Sequence, residues 1–346
     1  MKRAALLALV LLAPLPAHAG PDCAYVQGPP SPQAQQLIAS ARNETPFGLV
    51  LKLRALTEKE PGNAALWGWR AFAEQQTGET KSALESLGKT LDLNPCDDKA
   101  RMRRAEIEQK LGMLREAYFD YSKLIERKPD DARAYQLRGD LLQSVAEFSA
   151  ALSDFDAALA KGPPNDDLLL NRGGLMQELG RYREAIADYE KILGREPDNV
   201  DALAARGYSR FFLQDFVGAA SDLASAAGVN DNAFVWRFLA LARTGSASAL
   251  ADFQRDAAGH ADWVKATAEH LAAPETDDNF LERYPRAELR CYLEFYIGEF
   301  ALSKGDPTRA KRLFLEASDD CPKDPRETQG SLREYVGATE ELKRMQ

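Results

Sequence analysis

Four arginine–aspartate pairs recur along the chain: Arg104 with Asp120, Arg138 with Asp154, Arg172 with Asp188, and Arg206 with Asp222. The members of each pair stand sixteen residues apart, and each pair follows the last by 34. A guanidinium facing a carboxylate can form a charged ligand track, or it can tie two elements together by a forked, charge-assisted bond. The regularity of the spacing favours the tie. Four glutamines keep the same step, at Gln75, Gln109, Gln143 and Gln177. A row of carboxamides offers paired donors and acceptors to an extended peptide; four solvated surface glutamines are the alternative. The row gives way to aromatic residues at Tyr208, Phe211 and Phe212, with Phe72 near its other end. Aromatics exposed on one face would mark a partner site, and packing against residues 234–257 is the alternative. Catalytic signatures are missing: there is no H-E-x-x-H, no G-x-S-x-G and no phosphate loop. Three histidines in 346 residues do not suggest a multi-histidine metal centre. The expectation is a protein without catalytic residues, metal or cofactor.

The elements that would position these residues follow from the same period. Prolines stand at Pro61, Pro95, Pro129, Pro163 and Pro197, each 34 residues after the last. Ala83, Ala117, Ala151, Ala185 and Ala219 keep step, and four residues after each come Leu87, Tyr121, Phe155, Tyr189 and Leu223. Gly78, Gly112 and Gly180 precede the second helix of a unit, and Gly139, Gly173 and Gly207 fall in the middle of the first. This pattern resembles the tetratricopeptide repeat, a 34-residue helix–turn–helix unit with small residues where its helices meet. The resemblance implies an all-α solenoid, a right-handed superhelix of antiparallel helix pairs, with repeats at 64–97, 98–131, 132–165, 166–199 and 200–233. It also implies that the first helices line the concave face, where Gln75, Gln109, Gln143, Gln177, Phe72, Tyr208, Phe211 and Phe212 would meet a partner. The lysine and asparagine that clamp a chaperone's C-terminal carboxylate in some members of the family are absent here. Their places are taken by residues such as Gly68, Phe72, Met102 and Glu106.

Residues 30–63 read as a degenerate first repeat, and 234–290 as an irregular helical insertion containing an acidic loop from Pro274 to Pro285. Residues 291–324 restore the period, and 325–346 read as a capping helix opened by Ser331-Leu332-Arg333-Glu334, which has capping-box spacing. At the other end, Lys2-Arg3, the apolar run Ala4 to Ala13 and Ala17-His18-Ala19 have the form of a secretory signal peptide. Cleavage after Ala19 would leave a short tail, 20–29, in a periplasmic or secreted protein without a membrane span. Cys23, the first cysteine, follows Gly20-Pro21-Asp22, which is a poor context for lipid attachment.

An exported chain permits disulfides. Cys291 and Cys321 occupy the first and thirty-first positions of one repeat, where antiparallel helices bring them into reach. Elimination would then pair Cys23 with Cys96. Four cysteines allow three connectivities, and free buried thiols are the alternative.

The balance of 44 basic against 53 acidic residues, a net charge of −9, argues against nucleic acid as the main partner. The 45% hydrophobic content is that of a globular protein. Phe234-Val-Trp-Arg-Phe-Leu-Ala-Leu-Ala-Arg, the isolated Trp263 and Arg290-Cys-Tyr-Leu-Glu-Phe-Tyr-Ile-Gly-Glu-Phe give residues 100–345 a further likeness. They resemble the periplasmic repeat proteins related to new lipoprotein I of Gram-negative bacteria. That resemblance implies an envelope adaptor, often a homodimer, that brings cell-wall hydrolases to a processing protease. Two departures stand out: no lipid-attachment cysteine follows the signal peptide, and extra repeats extend the N-terminal half. The expected function is a non-catalytic scaffold for a protein or peptide partner. A cell-wall or carbohydrate binder or enzyme using 234–290, or a purely structural oligomer, are the alternatives.

Overall fold

In the computed structural model of the protein, residues 31–228, 230–273, 276–321 and 332–346 are described; the expected signal peptide, the 20–29 tail and Cys23 lie outside them. Among the described residues the regular structure is helical, with no strand. Helices pair in sequence: α1 (Pro32–Ser40) with α2 (Pro46–Lys59), α3 (Ala64–Gln76) with α4 (Thr80–Leu93), α5 (Asp98–Lys110) with α6 (Leu114–Arg127), and α7 (Ala132–Ser144) with α8 (Phe148–Lys161). There follow α9 (Asp166–Glu178) with α10 (Tyr182–Leu193), α11 (Val200–Phe212) with the shorter α12 (Phe216–Leu223), and α13 (Asp231–Arg243) with α14 (Ala249–Asp256). The chain continues through α15 (Asp262–His270), α16 (Asp277–Leu281), α17 (Ala287–Ser303), α18 (Pro307–Asp320) and α19 (Leu332–Arg344). It divides into two compact units, one formed by residues up to 142 with 149–162, the other by 143–148 with 163–346. No helix among the described residues is long and apolar enough to cross a membrane.

Each repeat is punctuated by the same local chemistry. Two residues after each periodic proline stands a capping side chain: Asn63, Asp97, Asp131, Asn165 and Asn199 accept the backbone N–H of the residue three positions on. This supplies a partner for a donor that the helix start would otherwise leave unpaired. The turn between paired helices uses one left-handed residue at a fixed place, filled by Gly78, Gly112, Gly180 and Gly305. At the equivalent points of two repeats Ala146 and Gln214 adopt the same conformation, with φ of 63° and 64°, at a steric cost that glycine avoids.

Mid-helix glycines set the distance between paired helices. A Cβ built on Gly139, Gly173, Gly207 or Gly298 would lie 2.6, 2.5, 2.8 or 2.7 Å from the side chain of Phe155, Tyr189, Leu223 or Phe314. Each of those side chains stands sixteen residues later and is buried. Small and large residues thus interlock in every such pair, as close-packed interiors require.

The arginine–aspartate pairs lie beside these contacts. Arg104, Arg138, Arg172 and Arg206 each donate through Nε and Nη2 to both carboxylate oxygens of Asp120, Asp154, Asp188 and Asp222, at 2.6–2.8 Å. The aspartates are buried. For Arg206, the bond to Asp222 outweighs burial and holds the guanidinium above its ordinary pKa. The pairs therefore join the two helices of a repeat.

The equivalent positions elsewhere show what the pair does. In the 64–97 repeat Ser86 takes the aspartate's place, and Glu74, buried in α3, supplies the carboxylate instead; Arg70 donates to it at 2.9 Å and Ser86 at 2.7 Å. In the 291–324 repeat both charges are gone. Ile297 and Leu313 stand there, fully buried with Phe280, Leu281 and Leu293. Apolar replacement of a buried ion pair is often neutral, whereas loss of one partner strands a buried charge. Asp188→Leu is therefore expected to cost about 3–5 kcal/mol in urea denaturation, and Arg172→Ile combined with Asp188→Leu to recover most of it.

The segment expected as an acidic loop holds a helix. Thr276 accepts from Asn279 N at 3.4 Å to start α16, which buries Phe280 and Leu281. Asp277, also buried, receives Arg309 and Arg312 from α18, and His270 lies 3.0 Å from it. Burial opposes its ionisation, but the hydrogen bonds from His270 and Arg309 hold the carboxylate well below its usual range. His270 is thereby buried and stacked on Phe280 with ring centroids 4.2 Å apart. Cys291 and Cys321 are joined, Cα atoms 4.9 Å apart, linking the start of α17 to the end of α18. Cys96 is also disulfide-bonded; its expected pairing with Cys23 lies outside the described residues.

Candidate functional site

The first-helix face was the expected place for a partner, and the two units use it differently. In the second unit it is filled by the protein itself. Tyr208, Phe211 and Phe212 are buried, with exposures of 5%, 2% and 4%. Their rings gather around Trp236 of α13, with centroids 5.4, 4.9 and 5.4 Å from it. Helix α19 closes over them. Gly337 brings its backbone against Phe212 and Phe295, Arg344 donates to the Phe212 carbonyl at 2.6 Å, and the Arg333 guanidinium lies 3.7 Å from the Tyr208 ring centroid. Tyr208, Phe211 and Phe212 are therefore corrected from candidate partner contacts to core. So much aromatic surface is more stable under a covering helix than in water. Helix α19 also packs on α17 and α18, so it caps the last repeat and lies across the first helices as well.

The glutamines are engaged in the same way. In the first unit, the Tyr121 hydroxyl donates to Gln109 Oε1 at 2.9 Å. In the second, Gln177 Nε2 donates to the Ala205 carbonyl and to Ser209 Oγ, both at 2.7 Å, and Gln143 bonds Glu178. Gln177 thus stitches α9 to α11. These three carboxamides serve the packing of helices, a correction to their reading as a ladder for a ligand; half-buried polar groups find partners within the protein when a neighbouring helix offers them. Gln75 is half-buried near the end of α3.

The first unit keeps an open hollow. A cavity of about 480 Å³ lies between α3 and α5 with Leu87 of α4 at its back. Gly68 and Ala100 leave the room, Trp69 and Phe72 form one wall, and Lys99 and Arg103 stand on the facing helix. Trp69 and Phe72 meet edge to face at 6.0 Å and are half-buried. The Arg103 guanidinium lies 5.4 Å from the Phe72 ring centroid, within the range in which a ring face attracts a cation. Lys99 and Arg103 are exposed, and neither forms an ion pair among the described residues. The carboxylate at the rim, Asp97, is committed to capping α5, accepting from Ala100 N at 2.9 Å.

Of the residues predicted from sequence, Phe72 is thus at this hollow. Trp69, Lys99 and Arg103 were missed. Their signal was present: Trp69 and Phe72 share a face of α3 three residues apart, and Lys99 and Arg103 share a face of α5 four apart. Among the described residues of 234–290, the aromatic rings pack inward rather than forming a separate surface. Phe234, Phe238 and Phe253 are buried, and Trp263 packs on the same core.

Residues 166–199 match the family model described as Tetratricopeptide repeat. This unit is a tetratricopeptide repeat. The flanking units share its period, caps and interlocking small–large contacts. No curated protein matches the sequence. Among solved structures, a tetratricopeptide repeat protein from Parabacteroides merdae is similar at 17% identity, over 89% of this chain and 97% of that one, with a TM-score of 0.48. PilW, a type IV pilus biogenesis factor, is similar at 19% identity over 60% of this chain and 98% of its own, TM-score 0.48. YrrB, a TPR protein with an unusual peptide-binding site, is similar at 17% identity over 50% and 90%, TM-score 0.45.

Because Phe212 lies between α19 and Trp236, Phe212→Ala is expected to destabilise the protein by about 3–5 kcal/mol, read as a lower thermal midpoint with lost near-ultraviolet dichroism. A stable, fully folded variant would return the residue to the surface.

Proposed function

We propose that the protein is a non-catalytic scaffold that holds an extended segment of a protein partner in the hollow between α3 and α5. The observation that carries this is the pairing of an apolar wall, Trp69 and Phe72, with two exposed cations, Lys99 and Arg103, that have no carboxylate partner among the described residues. A segment with one bulky apolar side chain beside an acidic group matches both halves. The ring would displace water from the wall, and the carboxylate would be taken by the guanidinium, which is suited to bidentate recognition. The protein as a whole carries a charge of −9, so selectivity for an acidic segment would rest on this local rim.

An exported, envelope-associated role is part of the same proposal. It is supported by the signal-like first 19 residues and by the likeness of residues 100–345 to the envelope adaptors named above. On that reading the partner is a cell-wall hydrolase or its protease, and the protein acts as a homodimer.

Crosslinking in the native envelope followed by mass spectrometry identifies the partner. Trp69→Ala and Arg103→Glu are each expected to weaken its capture at least about tenfold, equivalent to about 1.4 kcal/mol, with helicity unchanged. The Arg103→Glu loss should shrink in high salt. Undiminished capture by both variants would falsify the assignment of the hollow.

A further inference from the structure

The polar groups under α19 are unusual for a purely structural cap. Glu334 is 1% exposed; Trp236 Nε1 donates to its Oε1 at 3.2 Å and the Tyr296 hydroxyl at 3.1 Å, while Oε2 has no hydrogen-bond partner among the described residues. Glu299 of α17, also 1% exposed, bonds Arg243 of α13 through one oxygen, and its other oxygen has no partner among the described residues. Glu341 of α19 is buried near Glu299 and pairs with Arg344. On the α9 side, Glu178 Oε2 is buried and has no partner among the described residues. An unpartnered buried acceptor is costly, more so when charged. The seat of this helix therefore strains against ionised carboxylates, and their protonation relieves it.

We propose that α19 is a proton-latched lid: it lies over the first helices of residues 166–212 while the carboxylates beneath it are protonated, and lifts as they ionise, opening the face formed by Tyr208, Phe212 and Trp236.

The groups facing the latch are defined. Around Glu299 stand Arg243 from α13, with Glu341 and Arg344 from α19; around Glu334 stand Arg333 of the same helix, Tyr296 of α17 and Trp236 of α13. Glu178 of α9 faces Arg333 and Gln143, and Tyr182 of α10 faces Glu340 and Arg344. Burial, helped by Glu341 and opposed by Arg243, pushes the Glu299 carboxyl up to about 8. Burial also raises Glu334 and Glu178, against Arg333. With the lid open these groups return to water and ionise near 4.5, the ordinary value. A carboxyl whose pKa is higher in the docked state binds more protons there, so docking is strongest below pH about 4.5 and weakens continuously up to about pH 8.

Hydrogen exchange of the full chain, corrected for the intrinsic pH dependence of exchange, reads the opening directly. Between about pH 5 and about pH 8 the protection of α19 amides is expected to fall at least about tenfold, since each pH unit between the two pKa values contributes up to about tenfold per carboxyl. Amides of α9 and α11 should change less than about twofold over the same range. Glu299→Gln with Glu334→Gln should flatten the dependence; if that pair fails to fold, Glu341→Gln, which removes the like charge facing Glu299, should raise α19 protection at high pH. Protection of α19 that is independent of pH, or that falls together with α9 and α11, would overturn the proposal.

Discussion

The close approach of two helices at a glycine sets the terms for the rest of this structure. At Gly139, Gly173, Gly207 and Gly298 there is room for an aromatic or leucine side chain only because no Cβ stands there. Beside three of those contacts, and beside Ala105 in the 98–131 repeat, the neighbouring arginine and aspartate meet through both oxygens. Caps and left-handed turns then deliver each new helix to the same starting geometry. A repeated fold of this kind needs few long-range decisions, since each unit contacts its neighbours and little else.

This locality is why so much was legible. The proline, alanine and glycine landmarks lie within one 34-residue unit, and their packing partners lie sixteen residues away. A pattern that repeats five times overrides the noise of single-residue propensities. The Arg–Asp spacing was readable as an interhelical tie for the same reason. Even the exception is consistent: where Ile297 and Leu313 replace the charges, both replacements are apolar together, leaving no stranded ion.

The functional surface was less legible, because exposure is not a local property. Tyr208, Phe211 and Phe212 stand on a first helix just as an open groove would require. Whether they face water depends on α19, more than a hundred residues later in the chain, and on Trp236 across the register break. Gln177 likewise finds its acceptors only once α11 is set beside α9. The hollow at Trp69 was hidden for the opposite reason. Its volume comes from what is missing at Gly68 and Ala100, and its charge from a different helix than its apolar wall.

The bond between Cys291 and Cys321 bears on how such an array comes apart. Stacked repeats fray from their free ends, one unit at a time, because the last unit has a neighbour on one side only. Tension or thermal peeling that lifts α19 away then meets a covalent clasp across the base of α17 and α18. The end of the array is selvedged like cloth: its outermost thread can be lifted without the weave behind it running.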